Sequence, residues 1–318
     1  MNPRAETVAA VSAEVVKKHG SGAVLMKGEP GEIMLTERGV VDTGSLSLDL
    51  ALGVGGWPRG AIVELFGTDE DAKSALAFHA CAEFGKEEGV PAIIDASHNV
   101  DMERALDMGV DTSRLLVSQP DNATQALDIA EVMTRSGAVD LVILDSFGAL
   151  LALEDEGFDR RPHVALRQIC AIAKRTGTTV FFITRHGDAP VAGGWGIGNS
   201  LKFYASLRVD VRREDGATVA NVCKNKFAAP FARGRFRVGR SGVEKSAELF
   251  DLCMKRGVIR RTGRLFEYVI AGAWSPLGNS EERAIDAIHS GVGAMPGLEG
   301  YLRQSVMEKG ATAPGEGA

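Results

Sequence analysis

Residues 61–78 read AIVELFGTDEDAKSALAF. The first six form a short apolar, β-branched run of strand length. Gly67 breaks it, and SALAFHACAEFGKEEG (74–89) then continues with helical spacing. Strand, glycine loop, Lys73-Ser74 and helix is the order of a phosphate-binding loop. Backbone N–H groups and a helix N-terminus would ring the phosphate oxygens, with Lys73 as the point charge and Ser74 as the Mg²⁺ hydroxyl. Two features work against that reading. The second glycine of the G-x-x-x-x-G-K-[ST] pattern is Ala72, and a left-handed backbone there would cost about 1–2 kcal/mol. Asp69, Glu70 and Asp71 are three consecutive carboxylates. One carboxylate roughly 8 Å from one phosphate charge costs about 2 kcal/mol at an effective dielectric near 20. The competing reading is an acidic turn that opens a helix, where acids are favourable.

Working outward, strand-like and helical stretches alternate. AIIDA (92–96), a helix near 101–108, LLVSQ (115–119) and a helix at 124–136 come first. LVILDS (141–146), a helix near 163–175 and TVFFITR (179–185) follow. This predicts an α/β fold, a central mainly parallel sheet with right-handed crossovers and helices on both faces. LVILDS ends in Asp145, placed like an acid that holds Mg²⁺ through water, although many buried strands end in Asp. Beyond residue 199 the pattern changes: SLRVDVRR and TVANVCKNKF flank Glu214-Asp215-Gly216, a hairpin signal. We expect an N-terminal helix (5–18) and linker in 1–41, a core in 42–264, and a small C-terminal α+β domain with a frayed tail in 265–318.

The chain has 318 residues, 45% hydrophobic and 25% charged, which excludes a largely disordered or collagen-like protein. Four well-separated cysteines argue against a disulfide scaffold or zinc site and fit a reducing, cytoplasmic setting. No apolar run reaches membrane-span length, and MNPRAETVAAVSAEVVKKHG lacks a signal-peptide centre. The net charge of −6 is uneven: residues 224–264 hold twelve Lys and Arg against three acids. Such a segment is either an electrostatic footprint for nucleic acid or a basic face balancing an acidic neighbour. Arg233, Arg235 and Arg237 would share one side of a strand.

VDTGSLSLDLALGVGGWPRG (41–60), IIDASHNVDMERALDMGVD (93–111), LLVSQPDNATQALDIAEVMTRSGAVDLVILDS (115–146), NSLKFYASLRVDVRR (199–213) and VCKNKFAAPF (222–231) together closely resemble the RecA/Rad51 recombinase family. The resemblance runs from about residue 14 to about 275. It implies a RecA-type P-loop core, an N-terminal helix packing on the next subunit, and helical filaments on single-stranded DNA with ATP between subunits. It assigns Gly67, Ala72, Lys73, Ser74, Asp101 and Asp145 to nucleotide, with Ser74 and Asp145 on Mg²⁺. Lys224 and Lys226 would reach the neighbour's ATP, and Phe203 would lie at the subunit interface. Arg167, Lys174, Arg185, Gly198, Asn199, Lys202 and Arg208 would serve DNA.

The departures fall on the chemistry. Ser97 stands where the family has its water-activating glutamate, Arg185 replaces the γ-phosphate-sensing glutamine, and Arg104 replaces the adenine-stacking aromatic. Loss of a general base is worth about 10²–10⁴ in rate. No residue is therefore expected to be catalytic, and ATP and Mg²⁺ binding is expected to be weak or lost. The expectation is a DNA-binding and assembly protein of repair, recombination or damage-induced (SOS) mutagenesis. Its partners would be single-stranded DNA, its own or a RecA-like subunit, and a translesion-polymerase complex. The alternative is an active ATP-dependent strand-exchange recombinase.

Overall fold

The computed structural model describes residues 39–147, 161–184 and 197–304, save 271, 291–297 and 299, together with residues 13, 14 and 17; of 161–163 and 197–200 it describes the backbone alone. An eight-stranded sheet forms the centre. Its strands are β1 (Ile62–Phe66), β2 (Pro91–Asp95), β3 (Leu116–Ser118), β4 (Leu141–Asp145), β5 (Thr179–Ile183), β6 (Leu207–Glu214), β7 (Ala217–Asn225) and β8 (Arg233–Phe236). The spatial order is β8-β7-β6-β1-β5-β4-β2-β3. From β6 to β3 every neighbour is parallel, while β7 is antiparallel to both β6 and β8. Strands β1, β2, β4 and β5 are buried almost throughout, as apolar runs covered on two faces must be. The β6–β7 hairpin turns at Asp215-Gly216, both with positive φ (48° and 76°), the backbone that a two-residue turn requires.

The helices are α1 (Leu46–Leu52), α2 (Glu70–Lys86), α3 (Met102–Asp107), α4 (Ala123–Ser136), α5 (Arg161–Thr176), α6 (Ile197–Tyr204), α7 (Lys245–Lys255) and α8 (Glu281–Ser290). Two apolar layers result. One packs α1 and α2 against Val63, Leu65, Val209 and Val211. The other packs α4, α5 and α6 against Ile62, Val142, Leu144 and Phe182. In the first layer His79 of α2 is closely packed: a Cβ on Gly242 would come within 2.3 Å of its ring. Its Nε2 accepts from the Val243 N–H at 2.9 Å, so the neutral ring carries its proton on Nδ1. Burial first, and then Lys245, hold His79 down to about 4.

A third apolar cluster gathers Leu249, Phe250 and Cys253 of α7 with the antiparallel strands Ile259–Thr262, Leu265–Ile270 and Ala273–Gly278 and with α8. The line drawn between residues 264 and 265 runs through the turn joining the first two of these strands. Leu46 of α1 also joins this cluster, and Glu248 of α7 fastens the contact. Buried Glu248 accepts from the Leu46 and Ser47 N–H groups at 3.0 and 2.9 Å and from the Ser45 and Ser47 hydroxyls at 2.5 Å each. Burial raises its pKa against the pull of those bonds. Nearby Asp49 is pushed up to about 8, by burial first and then by Asp42, although the Thr43 N–H donates to it at 3.0 Å.

Candidate nucleotide and nucleic-acid sites

The C-terminal ends of β1, β5, β4 and β2 lie side by side, where open α/β sheets bind ligands. Gly67 follows β1 with φ +128°, and a Cβ there would lie 2.1 Å from the Val211 carbonyl oxygen, so no larger residue fits. Helix α2 then starts at Glu70, three residues before Lys73. Asp69 is its N-cap: one carboxylate oxygen accepts from the Ala72 N–H at 3.2 Å, the other from the Thr218 hydroxyl at 2.9 Å. Because the helix begins early, Ala72 lies within it and has no positive φ, so the left-handed penalty does not arise.

Lys73 is fully buried. Its ammonium donates to the carbonyl oxygens of Gly67 (3.0 Å) and Thr184 (2.8 Å) and pairs with Glu70 at 3.3 Å. Three partners use all three ammonium hydrogens. Arg104 reaches back from α3 to form an ion pair with Asp71. Each of the three consecutive carboxylates thus has a partner within the chain. Asp101 caps α3, accepting from the Arg104 N–H at 2.9 Å. Ser74 is half-exposed, and Asp145 ends β4, half-buried. These two are the chemistry that Mg²⁺ takes. The Ala72 N–H at the helix head and the Lys73 ammonium, two groups of phosphate-binding chemistry, are both engaged within the chain.

At the end of β2, Asp95 accepts from Gln119 Nε2 (3.1 Å), the Asn99 and Val100 N–H groups (3.1 and 3.2 Å) and Ser97 Oγ (3.1 Å). Burial opposes its charge, but these bonds, led by Gln119, outweigh it and hold the Asp95 carboxyl below the usual range. The Ser97 hydroxyl is therefore a donor to Asp95, and a hydroxyl is no base at neutral pH.

Of the expected subunit and DNA residues, Lys202, Phe203, Arg208, Lys224 and Lys226 come together around the last turn of α6. Lys224 turns back onto its own chain, donating to the carbonyl oxygens of Lys202 (2.8 Å) and Phe203 (2.9 Å) at the last turn of α6. Desolvation first, then Lys226 and Arg208, lower its pKa. Lys226 is exposed. Phe203 is 74% exposed, its ring edge-on to Tyr204. Arg208 pairs with buried Glu64 and lies 4.5 Å from the centre of the Phe66 ring. Arg167, Lys174 and Lys202 are exposed, the first two on the outer face of α5. Gly198 and Asn199 fall in the first turn of α6, and Arg185 lies outside the described residues.

The basic segment divides. Arg233 and Arg235 are exposed on one side of edge strand β8, with Gly234 and Phe236 buried on the other. Neither has an acidic partner within 4.0 Å among the described residues. Arg237, just past the end of β8, is engaged: it pairs with Glu281 at 3.1 Å and Asp251 at 3.6 Å, tying the sheet edge to α8 and α7. Arg240 pairs with Asp107 at 3.3 Å, and Arg260 with Glu267 at 3.0 Å over the Trp274 ring. Sequence reasoning missed Thr184 and Thr218. A carbonyl partner leaves no trace in residue type, and Thr218 meets Asp69 only through the fold.

Residues 6–241 match the RecA N-terminal domain family. The chain belongs to the RecA family. It is 36% identical to Protein RecA of Salinispora tropica over 96% of this chain and 92% of that protein. It is 38% identical to Protein RecA of Nocardia farcinica over 86% and 84% of the two chains, and 38% to that of Nitrobacter winogradskyi over 83% and 80%. The RecA-family match takes in the whole eight-stranded sheet and stops before α7. Among the described residues no helix is long and apolar enough to cross a membrane, and no His, Cys, Asp or Glu cluster has the makings of a metal site.

Proposed function

We propose that this RecA-family chain is a DNA-binding and assembly protein of cytoplasmic DNA repair, recombination or damage-induced mutagenesis, with little or no ATP hydrolysis. The observation that carries the reading is at residue 97, where a hydroxyl engaged with Asp95 replaces the expected acid. Loss of such a base slows turnover by about 10²–10⁴. Arg233, Arg235, Arg167, Lys174 and Lys202 are exposed cations that can track a phosphate backbone. Aromatic residues are 6% of the chain, so binding rests on backbone charge more than on base stacking. Exposed Phe203 supports contact with a second copy or a RecA-like subunit, and a translesion-polymerase complex is the wider assembly we assign to it.

The alternative, an active ATP-dependent recombinase, draws on the retained Lys73 and Ser74 of α2, Asp145 at the end of β4, and Lys224 and Lys226. An ATPase assay with and without single-stranded DNA separates the two. The expected result is no turnover above a Lys73→Ala control. Turnover that Lys73→Ala abolishes would establish the alternative.

A further inference from the structure

The geometry points to an anion seat at the head of α2 that the chain fills with its own carboxylate, so that nucleoside triphosphates are kept out by an internal occupant. This rests on the reading above and deepens it: slow hydrolysis concerns residue 97, whereas exclusion concerns residues 69–71.

A helix N-terminus attracts an anion through its free N–H groups and its dipole. Here Asp69 takes the Ala72 N–H, and its second oxygen takes the Thr218 hydroxyl from β7. The occupant is covalently tethered, so an external phosphate competes with a group at high effective concentration. Lys73, the point charge for a β- or γ-phosphate, faces inward between two carbonyl oxygens and Glu70. Arg104, at the position expected to hold adenine, is drawn to Asp71. An entering triphosphate must break the Asp69 cap, withdraw Lys73 from both carbonyls and lie beside three like charges. The three acids and their partners form one closed set, and removing their charge opens it.

The test is calorimetric titration of the full chain with Mg·ATP. Wild type is expected to give no saturable binding at millimolar nucleotide. The triple variant Asp69→Gly, Glu70→Gln, Asp71→Asn removes both the tethered acceptor and the charge, and glycine is tolerated at a helix cap nearly as well as Asp. It is expected to bind at least tenfold more tightly than wild type, and Lys73→Ala in that background is expected to remove the gain. Asp71→Asn alone, at an exposed position, is the second variant and should give a smaller gain in the same direction. Saturable micromolar binding by wild type overturns the inference and leaves the low-turnover reading standing if no phosphate is released. A folded triple variant that binds no better than wild type, or a null result for Asp71→Asn where the triple variant does not fold, overturns it as well. ATP turnover by wild type overturns both.

Discussion

Helices α1 and α2 both begin on a carboxylate, as α3 does on Asp101, but the acids of the first two come from different places. At α1 the anion is Glu248, about two hundred residues away in sequence, fully buried and accepting four hydrogen bonds. At α2 it is Asp69, the residue immediately before the helix. The first is plainly a fastening between the core and the C-terminal cluster. The second uses the same chemistry where relatives by resemblance would receive a ligand. The comparison teaches that a helix head is indifferent to the source of its anion.

The largest expected effect follows from Glu248. Glu248→Ala takes the acceptor from the Leu46 and Ser47 N–H groups, while the Ser47 hydroxyl keeps the Arg235 carbonyl oxygen at 3.0 Å, and at 1–3 kcal/mol for each unsatisfied group the loss of stability is about 2 kcal/mol or more. Asp69→Ala should cost about 1 kcal/mol, the usual worth of a cap, and Asp69→Gly a few tenths. Urea denaturation measures both, and equal losses at the two helix heads would break the comparison.

Titration gives the next test. The folded-state pKa of Asp49 is near 8 against 3.8 for the free group. Between those values the folded chain binds the extra proton, so this residue makes stability fall as pH rises. His79 acts oppositely between about 4 and 6.5, where the unfolded chain is the more protonated and stability rises with pH. From pH 6.5 to 8 Asp49 acts without that opposition. Thermal melts across this window should show a declining Tm in wild type and a flatter profile in Asp49→Asn.

The smallest effects concern cations rather than acids. Arg233→Ala with Arg235→Ala should weaken DNA binding and reduce its salt dependence by about 1.4 in log–log slope, the value for two contacts to a single strand. Arg237→Ala, whose guanidinium is held by Glu281 and Asp251, should leave the salt slope alone and cost at most about 1 kcal/mol of stability. A slope unchanged in the first variant, or lowered in the second, would reverse the division between engaged and available charge.

Much of the fold was legible from local pattern. The alternation from AIVELF to TVFFITR yields the parallel strands within a residue or two, and Asp215-Gly216 marks the hairpin. The resemblance to the RecA/Rad51 family agrees with the family match over residues 6–241. The loop was legible as an ambiguity between phosphate cradle and acidic helix start. The structure has the acidic start, because Asp69 at the cap lets α2 begin before Lys73. That Arg237 is engaged while Arg233 and Arg235 are exposed was not legible, because its acid partners lie 14 and 44 residues further along the chain. Arg104 and Asp71 are likewise 33 residues apart, and only packing brings them together.

Lys224 links the outer hairpin to the final turn of α6, the turn that carries the bare ring of Phe203. The ammonium thus fastens that turn, and the ring it presents, to the strand beside the one on which Arg233 and Arg235 stand.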